Sequence, residues 1–158
     1  MRVAILTVSD SVSSGKSQDR SGPSVAARCQ ELGWDIVSTA VCADDRPAVE
    51  AWLKETADSK STDLILTSGG TGLGPRDVTP EATLAVVERV IPGFSEKMRV
   101  AGAEKNPRAI LSRGAAGIRG TTIIINLPGS PTGAVESLNV VAALLPHSVD
   151  VLHGHHHG

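Results

Sequence analysis

The chain is poor in aromatic side chains, with no tyrosine, one phenylalanine and two tryptophans in 158 residues. A surface that grips single-stranded nucleic acid needs stacking platforms and a basic field. Here 15 Lys and Arg face 17 Asp and Glu, for a formal charge of -2, so no nucleic-acid partner is expected. Cysteine is equally scarce: Cys29 and Cys42 offer neither zinc-ligand spacing nor a disulfide framework, and they read as buried thiols in a reducing cytoplasm. Long hydrophobic runs are missing too. The opening MRVAILTVSD is apolar over far too short a stretch for a leader or a membrane span, and it reads as a first strand. Histidine is confined to His147 and a C-terminal tract at 153–158, so Ser11 has no partner for a serine–histidine relay. The tract itself either binds transition metals through imidazole or is a solvated tail outside the domain at 1–152.

What is present is a regular alternation of strand and helix. Arg2–Val8, Trp34–Val41, Leu64–Thr67 and the β-branched Thr121–Leu127 read as strands. Ser24–Leu32 places Val25, Cys29 and Leu32 on one helical face, and Asp45–Thr56 does the same with Val49, Trp52 and Leu53. Further helices are expected from Thr79, with Leu84, Val87 and Ile91 at helical spacing, at Ser95–Ala103, and at Ala134–Leu145 before a helix-breaking Pro146. This order implies an α/β layered fold around a mostly parallel sheet. Ligands of such sheets gather beyond the carboxyl ends of the strands. That rule puts the loops 9–23, 43–45, 68–77 and 128–131 on one rim.

The most informative of these loops is Ser68–Gly74, which has four glycines in seven residues directly after a strand. Glycine accepts positive φ and lets successive backbone N–H groups converge on an anion. The loop lacks the Gly-Lys-Ser/Thr ending of a P-loop. It also misses the spacing of a dinucleotide fingerprint, because Pro75-Arg76-Asp77 intervenes before the helix. Either a tight turn or an anion cradle fits the glycines alone. Asp77 would repel a phosphate directly, but a Mg²⁺ ion held by one or two carboxylates and by substrate phosphates removes that conflict. Asp44 or Asp45 supplies a second acid on the same rim, unless Asp45 only caps the next helix and Asp77 only shapes a turn. Arg76 either balances Asp77, meets an anion or is simply solvated. In the turn Pro128-Gly129-Ser130-Pro131, amides and the Ser130 hydroxyl either face a ligand or form an ordinary turn. Arg113, after Ser112, either pairs with a phosphate or ties a loop to the sheet through a carboxylate.

Taken in order, Ser9-Asp10-Ser11 with Asp19 and Ser21-Gly22-Pro23, Asp44, Ser68-Gly69-Gly70-Thr71-Gly72, Asp77-Val78-Thr79-Pro80, Pro92-Gly93-Phe94, Ser112-Arg113 with Gly117, and Asn126–Pro131 resemble the MoaB/Mog family of molybdenum-cofactor biosynthesis proteins. The resemblance spans nearly the whole chain. It implies a three-layer α/β/α sandwich with a mostly parallel sheet and one antiparallel edge strand, assembled as a homotrimer in the cytoplasm. It also implies Mg²⁺-dependent transfer of AMP from ATP to molybdopterin with release of pyrophosphate, and possible contact with other proteins of cofactor assembly. By the same resemblance Asp44 and Asp77 are the functional acids and hold Mg²⁺ or orient substrate. Gly69, Gly70, Gly72, Pro128 and Gly129 would bring backbone groups to phosphate or substrate. Ser9, Asp10, Ser11, Ser68, Thr71, Thr79, Ser112, Ser130 and Arg113 would add polar contacts. The alternative is a molybdopterin-binding carrier without turnover. One departure concerns the residue after the last turn: many relatives carry a basic residue there, and this chain has Thr132.

Overall fold

The computed structural model describes residues 1–155. Six strands form one sheet in the order β2-β1-β3-β6-β5-β4. They are β1 Arg2–Val8, β2 Asp35–Cys42, β3 Leu64–Ser68, β4 Arg89–Val90, β5 Ala116–Arg119 and β6 Thr122–Leu127, and a single-turn helix, α1 Asp10–Ser13, follows β1. The first four in spatial order, β2, β1, β3 and β6, are parallel. β5 runs antiparallel to β6, and the two-residue β4 runs antiparallel to β5. The antiparallel strand therefore lies one place in from the edge, which β4 completes.

Period-two alternation sends neighbouring side chains to opposite faces of the sheet. Val3, Ile5, Leu64, Leu66, Ile123 and Ile125 pack on one face against α2 (Ser21–Glu31), α5 (Pro92–Lys105), α6 (Pro131–Val141) and α7 (Leu145–Leu152). Ala4, Leu6, Val8, Ile65 and Ile124 pack on the other against α3 (Arg46–Asp58) and α4 (Thr79–Val86). All residues of β3 and β6 are buried, as expected of strands covered on both faces. The three-layer α/β/α arrangement and the mostly parallel sheet match the expectation.

Several boundaries move for identifiable reasons. α2 starts three residues earlier than the pattern suggested, because the Asp19 carboxylate accepts the Gly22 N–H (3.0 Å) and the Thr7 hydroxyl (2.9 Å). The helix expected to run from Thr79 to Ile91 stops at Val86, since Val87 turns extended and leads into β4; Leu84, inside the helix, is exposed. The helix expected to end at Leu145 instead passes through a 3₁₀ turn at Ala142–Leu144 into α7. Pro146 sits in the first turn of α7, where its missing N–H costs nothing. The stretch Pro131–Leu152 is long and apolar enough by composition to cross a membrane. Its Ala134, Leu138, Val141, Leu145 and Val149 are nevertheless buried against the sheet. Of the histidine tract, residues 156–158 lie outside the described residues. Beside the end of α7, the His153 Nε2 lies 3.1 Å from the Thr121 carbonyl oxygen.

The topology positions the site. β1 leads outward to β2, and the chain then crosses back to β3 on the other side of β1. The order reverses between the carboxyl ends of β1 and β3, where open α/β sheets bind ligands.

Candidate active site at two clefts sharing a glycine loop

Gly69 and Gly70 begin the loop with φ of +102° and +71°. The loop lies so close to the end of β1 that a Cβ on Gly69 would sit 2.2 Å from the Val8 carbonyl oxygen. The Gly69 N–H donates to the Leu127 carbonyl (3.1 Å), which prolongs the sheet and takes that amide out of any anion cradle. The amides of Gly70, Thr71 and Gly72 have no protein acceptor among the described residues. Asp77 curls back over the loop and accepts the Gly74 N–H at 2.9 Å, its carboxylate occupying the space that a Cβ on Gly72 or Gly74 would need.

The loop is braced from behind. Arg113 donates to the carbonyl oxygens of Gly72 (2.8 Å) and Asp77 (2.9 Å), and its guanidinium also binds the Glu81 carboxylate. The Arg113 N–H donates to the Thr71 carbonyl (2.8 Å). Its hydrogen bonds to Arg113 hold Glu81 below the usual carboxylate range. Of the two readings open to Arg113, the structure supports the tie; the residue lines neither of the two clefts beside the loop. Beneath the loop, Asn126 donates to the hydroxyls of Thr67 (3.0 Å) and Thr83 (2.9 Å) and accepts the Ala115 N–H (3.0 Å). This buried amide joins β3, β6, α4 and the approach to β5.

On one side of the loop lies a cleft of about 380 Å³ lined by Ser9, Ser11, Asp44, Ser68, Gly69, Gly70, Asp77 and Gly129, together with Gln18, Asp19, Arg20 and Ser21. Asp44 and Asp10 are locked reciprocally: the Asp10 N–H donates to the Asp44 carboxylate and the Asp44 N–H to the Asp10 carboxylate, each at 3.0 Å. Arg76 grips Asp10 with two hydrogen bonds of 2.9 and 3.0 Å, so its partner is Asp10 rather than Asp77. Those bonds hold the Asp10 carboxyl below its ordinary range. Asp44 moves the other way: burial pushes its carboxyl up, and the charges of Asp10 and Asp77 add to the effect. Asp45 caps α3 by accepting the Ala48 N–H at 3.1 Å. The second acid on the rim is therefore Asp44.

On the other side lies a wider cleft of about 770 Å³, to which Thr71, Gly72, Ser112, Pro128 and Ser130 contribute. Ser130 caps α6 by accepting the Gly133 N–H (3.0 Å), and Ser112 accepts the Gly114 N–H (3.2 Å). Ser68, almost fully buried, contacts the Ser21 hydroxyl and donates to the Pro128 carbonyl (3.0 Å), coupling the first cleft to the turn bordering the second.

Two further expectations need correction. Thr79 is not the N-cap of α4 but its first residue, and it is fully buried with its hydroxyl pressed under Gly70. It lines neither cleft, so direct donation to a substrate does not follow. Asp10 stands behind Asp44 rather than in the cleft wall. Conversely, Asn126 belongs to the loop's foundation, and Arg20, Lys105 and Arg108 line the clefts, although no local sequence pattern singles them out.

Among the described residues, no group of three or more His, Cys, Asp or Glu side chains converges as a metal cage. The donor set nevertheless suits a hard cation shared with substrate, since Asp44 and Asp77 face one cleft and Asp44 is electrostatically uncomfortable as an anion.

Residues 4–147 match the family model of a probable molybdopterin-binding domain. The molybdopterin adenylyltransferase of Helicobacter pylori is 38% identical over 158 residues, covering 99% of this chain and 90% of the relative. That of Haemophilus influenzae is 41% identical over 143 residues, covering 89% of this chain and 73% of the relative. Among solved structures, the molybdopterin biosynthesis enzyme MoaB of Thermus thermophilus superposes with a TM-score of 0.92 at 46% identity, covering 97% and 96% of the two chains. The chain belongs to the MoaB/Mog family of molybdopterin-binding domains.

Proposed function

We propose that this protein is a molybdopterin adenylyltransferase of molybdenum cofactor biosynthesis, transferring AMP from ATP to the terminal phosphate of molybdopterin. The observation that carries this reading is the meeting of two clefts at one glycine loop, with Asp44 and Asp77 facing the narrower of them. A phosphate oxygen of molybdopterin attacks the α-phosphorus of ATP, the bond to the pyrophosphate oxygen breaks, and pyrophosphate leaves. The attacking phosphate is already anionic, so the reaction demands alignment and charge stabilisation rather than a protein nucleophile.

The chain's own groups supply that alignment. The amides of Gly70, Thr71 and Gly72 are available to phosphate oxygens along the shared wall. Arg113 and the Asp77–Gly74 hydrogen bond keep those amides aimed without reorganisation. Asp44 and Asp77 would hold Mg²⁺, which supplies charge neutralisation at the triphosphate. We place the nucleotide phosphates in the acid-lined cleft and the pterin in the wider one. The chain is taken to act in the cytoplasm, with residues 1–152 as one domain assembled into a homotrimer and working alongside other cofactor-assembly proteins; a solution mass measurement checks the assembly.

The test is product analysis. Protein incubated with ATP, Mg²⁺ and molybdopterin should yield pyrophosphate and a species with the mass of adenylyl-molybdopterin. Folded, molybdopterin-loaded protein that makes neither contradicts the activity and leaves the carrier reading.

A further inference from the structure

The wider cleft contains a cation that nothing in the proposed reaction yet uses. Four charged side chains line it: Glu104 and Lys105 at the end of α5, Arg108 in the 3₁₀ turn that follows, and Glu136 on α6. Lys105 and Glu136 reach each other across the cleft at 3.5 Å, which cancels their charges locally. The Arg108 side chain has no hydrogen bond or ion pair among the described residues; only its backbone N–H is engaged, with the Asn106 side chain (3.1 Å). The opposite wall, at the start of α6, offers Thr132 and Gly133 and so no cation.

The backbone under Arg108 is fixed. Asn106 caps the turn, Pro107 opens it, and the Ala109 N–H returns to the Asn106 carbonyl at 2.9 Å. Ala109 packs so closely on α5 that a Cβ on Gly102 would stand 3.0 Å from its own Cβ. A long, unpaired guanidinium therefore projects from a rigid turn at the wall of a cleft whose other charged groups are the Lys105–Glu136 pair and the Glu104 carboxylate. A guanidinium in that setting recognises an oxyanion or thiolate group through charge-assisted hydrogen bonds.

We infer that Arg108 is a substrate-binding residue that holds an anionic group of the pterin substrate in the wider cleft, supplying the positive charge that Thr132 does not. This inference rests on the assignment of that cleft to the pterin. Arg108 acts on affinity rather than on the phosphoryl-transfer step, because the glycine loop and the acids stand on the cleft's other border.

The experiment is calorimetric titration of molybdopterin into the wild-type protein and into Arg108→Ala and Arg108→Glu, with pyrophosphate release measured in parallel. Loss of one charge-assisted contact should weaken molybdopterin binding roughly tenfold in Arg108→Ala, and charge reversal should weaken it further. The KM for ATP, the kcat at saturating molybdopterin and the melting temperature should stay at wild-type values, since the side chain is exposed and makes no hydrogen bond or ion pair among the described residues. Equal molybdopterin affinity in all three proteins would overturn the inference and leave the proposed function intact. A wild-type protein that binds no molybdopterin would instead remove the pterin assignment on which the inference stands.

Discussion

The two clefts that share the Ser68–Gly74 loop differ in how they are built. The narrower one is set by charge: Asp44 and Asp77 line it, Asp10 and Arg76 stand behind Asp44, and reciprocal backbone-to-carboxylate hydrogen bonds fix Asp10 and Asp44. The wider one is assembled more from shape, with small and apolar side chains of α5, α6 and the turn between α5 and β5 around the Lys105–Glu136 pair, Glu104 and Arg108. Strong, preset electrostatics suit the place where phosphate charge is handled, whereas a roomier, more apolar cleft suits a ring system. The loop between them is held rigid from behind and can therefore position two substrates against each other.

Removing an acid should separate the clefts most sharply. Asp77→Asn preserves the side-chain shape, and pyrophosphate formation should fall roughly 100-fold or more. Molybdopterin affinity should be unchanged by calorimetry; a parallel loss of affinity would mean that the acids serve both clefts.

The shared wall comes next. Gly69→Ala forces a Cβ to 2.2 Å from the Val8 carbonyl oxygen at a φ of +102°, which should destabilise the fold by roughly 3 kcal/mol in denaturant unfolding. Both ligands should bind more weakly, unlike the selective effect at Asp77. Arg113→Ala removes the brace while leaving the clefts' surfaces chemically intact. Losing its hydrogen bonds to the Gly72 and Asp77 carbonyls and to Glu81 should cost roughly 2 kcal/mol after allowance for its partial exposure. Turnover should drop more than either substrate's affinity.

The smallest effect on stability is a gain. Burial, Asp10 and Asp77 together raise the Asp44 carboxyl above its unfolded value. Preferential proton binding by the folded state is thus a stabilising contribution fully present below the unfolded value, and it is lost as pH rises through the folded one. Asp44→Asn should abolish turnover, melt slightly higher than wild type at pH 7, and lose that advantage as the pH is lowered into the acid range. A lower melting temperature at pH 7 would show instead that the charge of Asp44 is internally compensated.

Much of this was legible in the sequence where burial repeats locally. β1, β3 and β6 are central strands covered on both faces, so their apolar runs marked them within a residue or so. β5 was hidden because Ala116–Arg119 is short and contains Gly117, whose missing side chain admits the Arg89 carbonyl and Val87. β4 has only two exposed residues and exists through its pairing with β5. α7 was concealed by Pro146, which breaks a helix interior but opens a new helix comfortably.

In the site, the glycine loop and the acids were visible because their chemistry is local. The duties of Arg76 and Arg113 were not: Arg76 meets Asp10 66 positions away, and Arg113 meets Glu81 32 positions away. Thr79 carried a capping signal, yet packing against Gly70 placed it one step inside the helix. The division of the predicted residues between two clefts emerges only when the rim is assembled.

On the proposed reading the acid-lined cleft takes the metal-bound nucleotide while the wider cleft takes the pterin. Calorimetric titration of Mg-ATP into wild type and into the Asp44→Asn/Asp77→Asn double variant, both loaded with molybdopterin, tests it directly. Saturable nucleotide binding in wild type that disappears in the double variant, with the pterin still bound, is the predicted result. Undiminished Mg-ATP binding in the double variant would contradict that placement of the nucleotide.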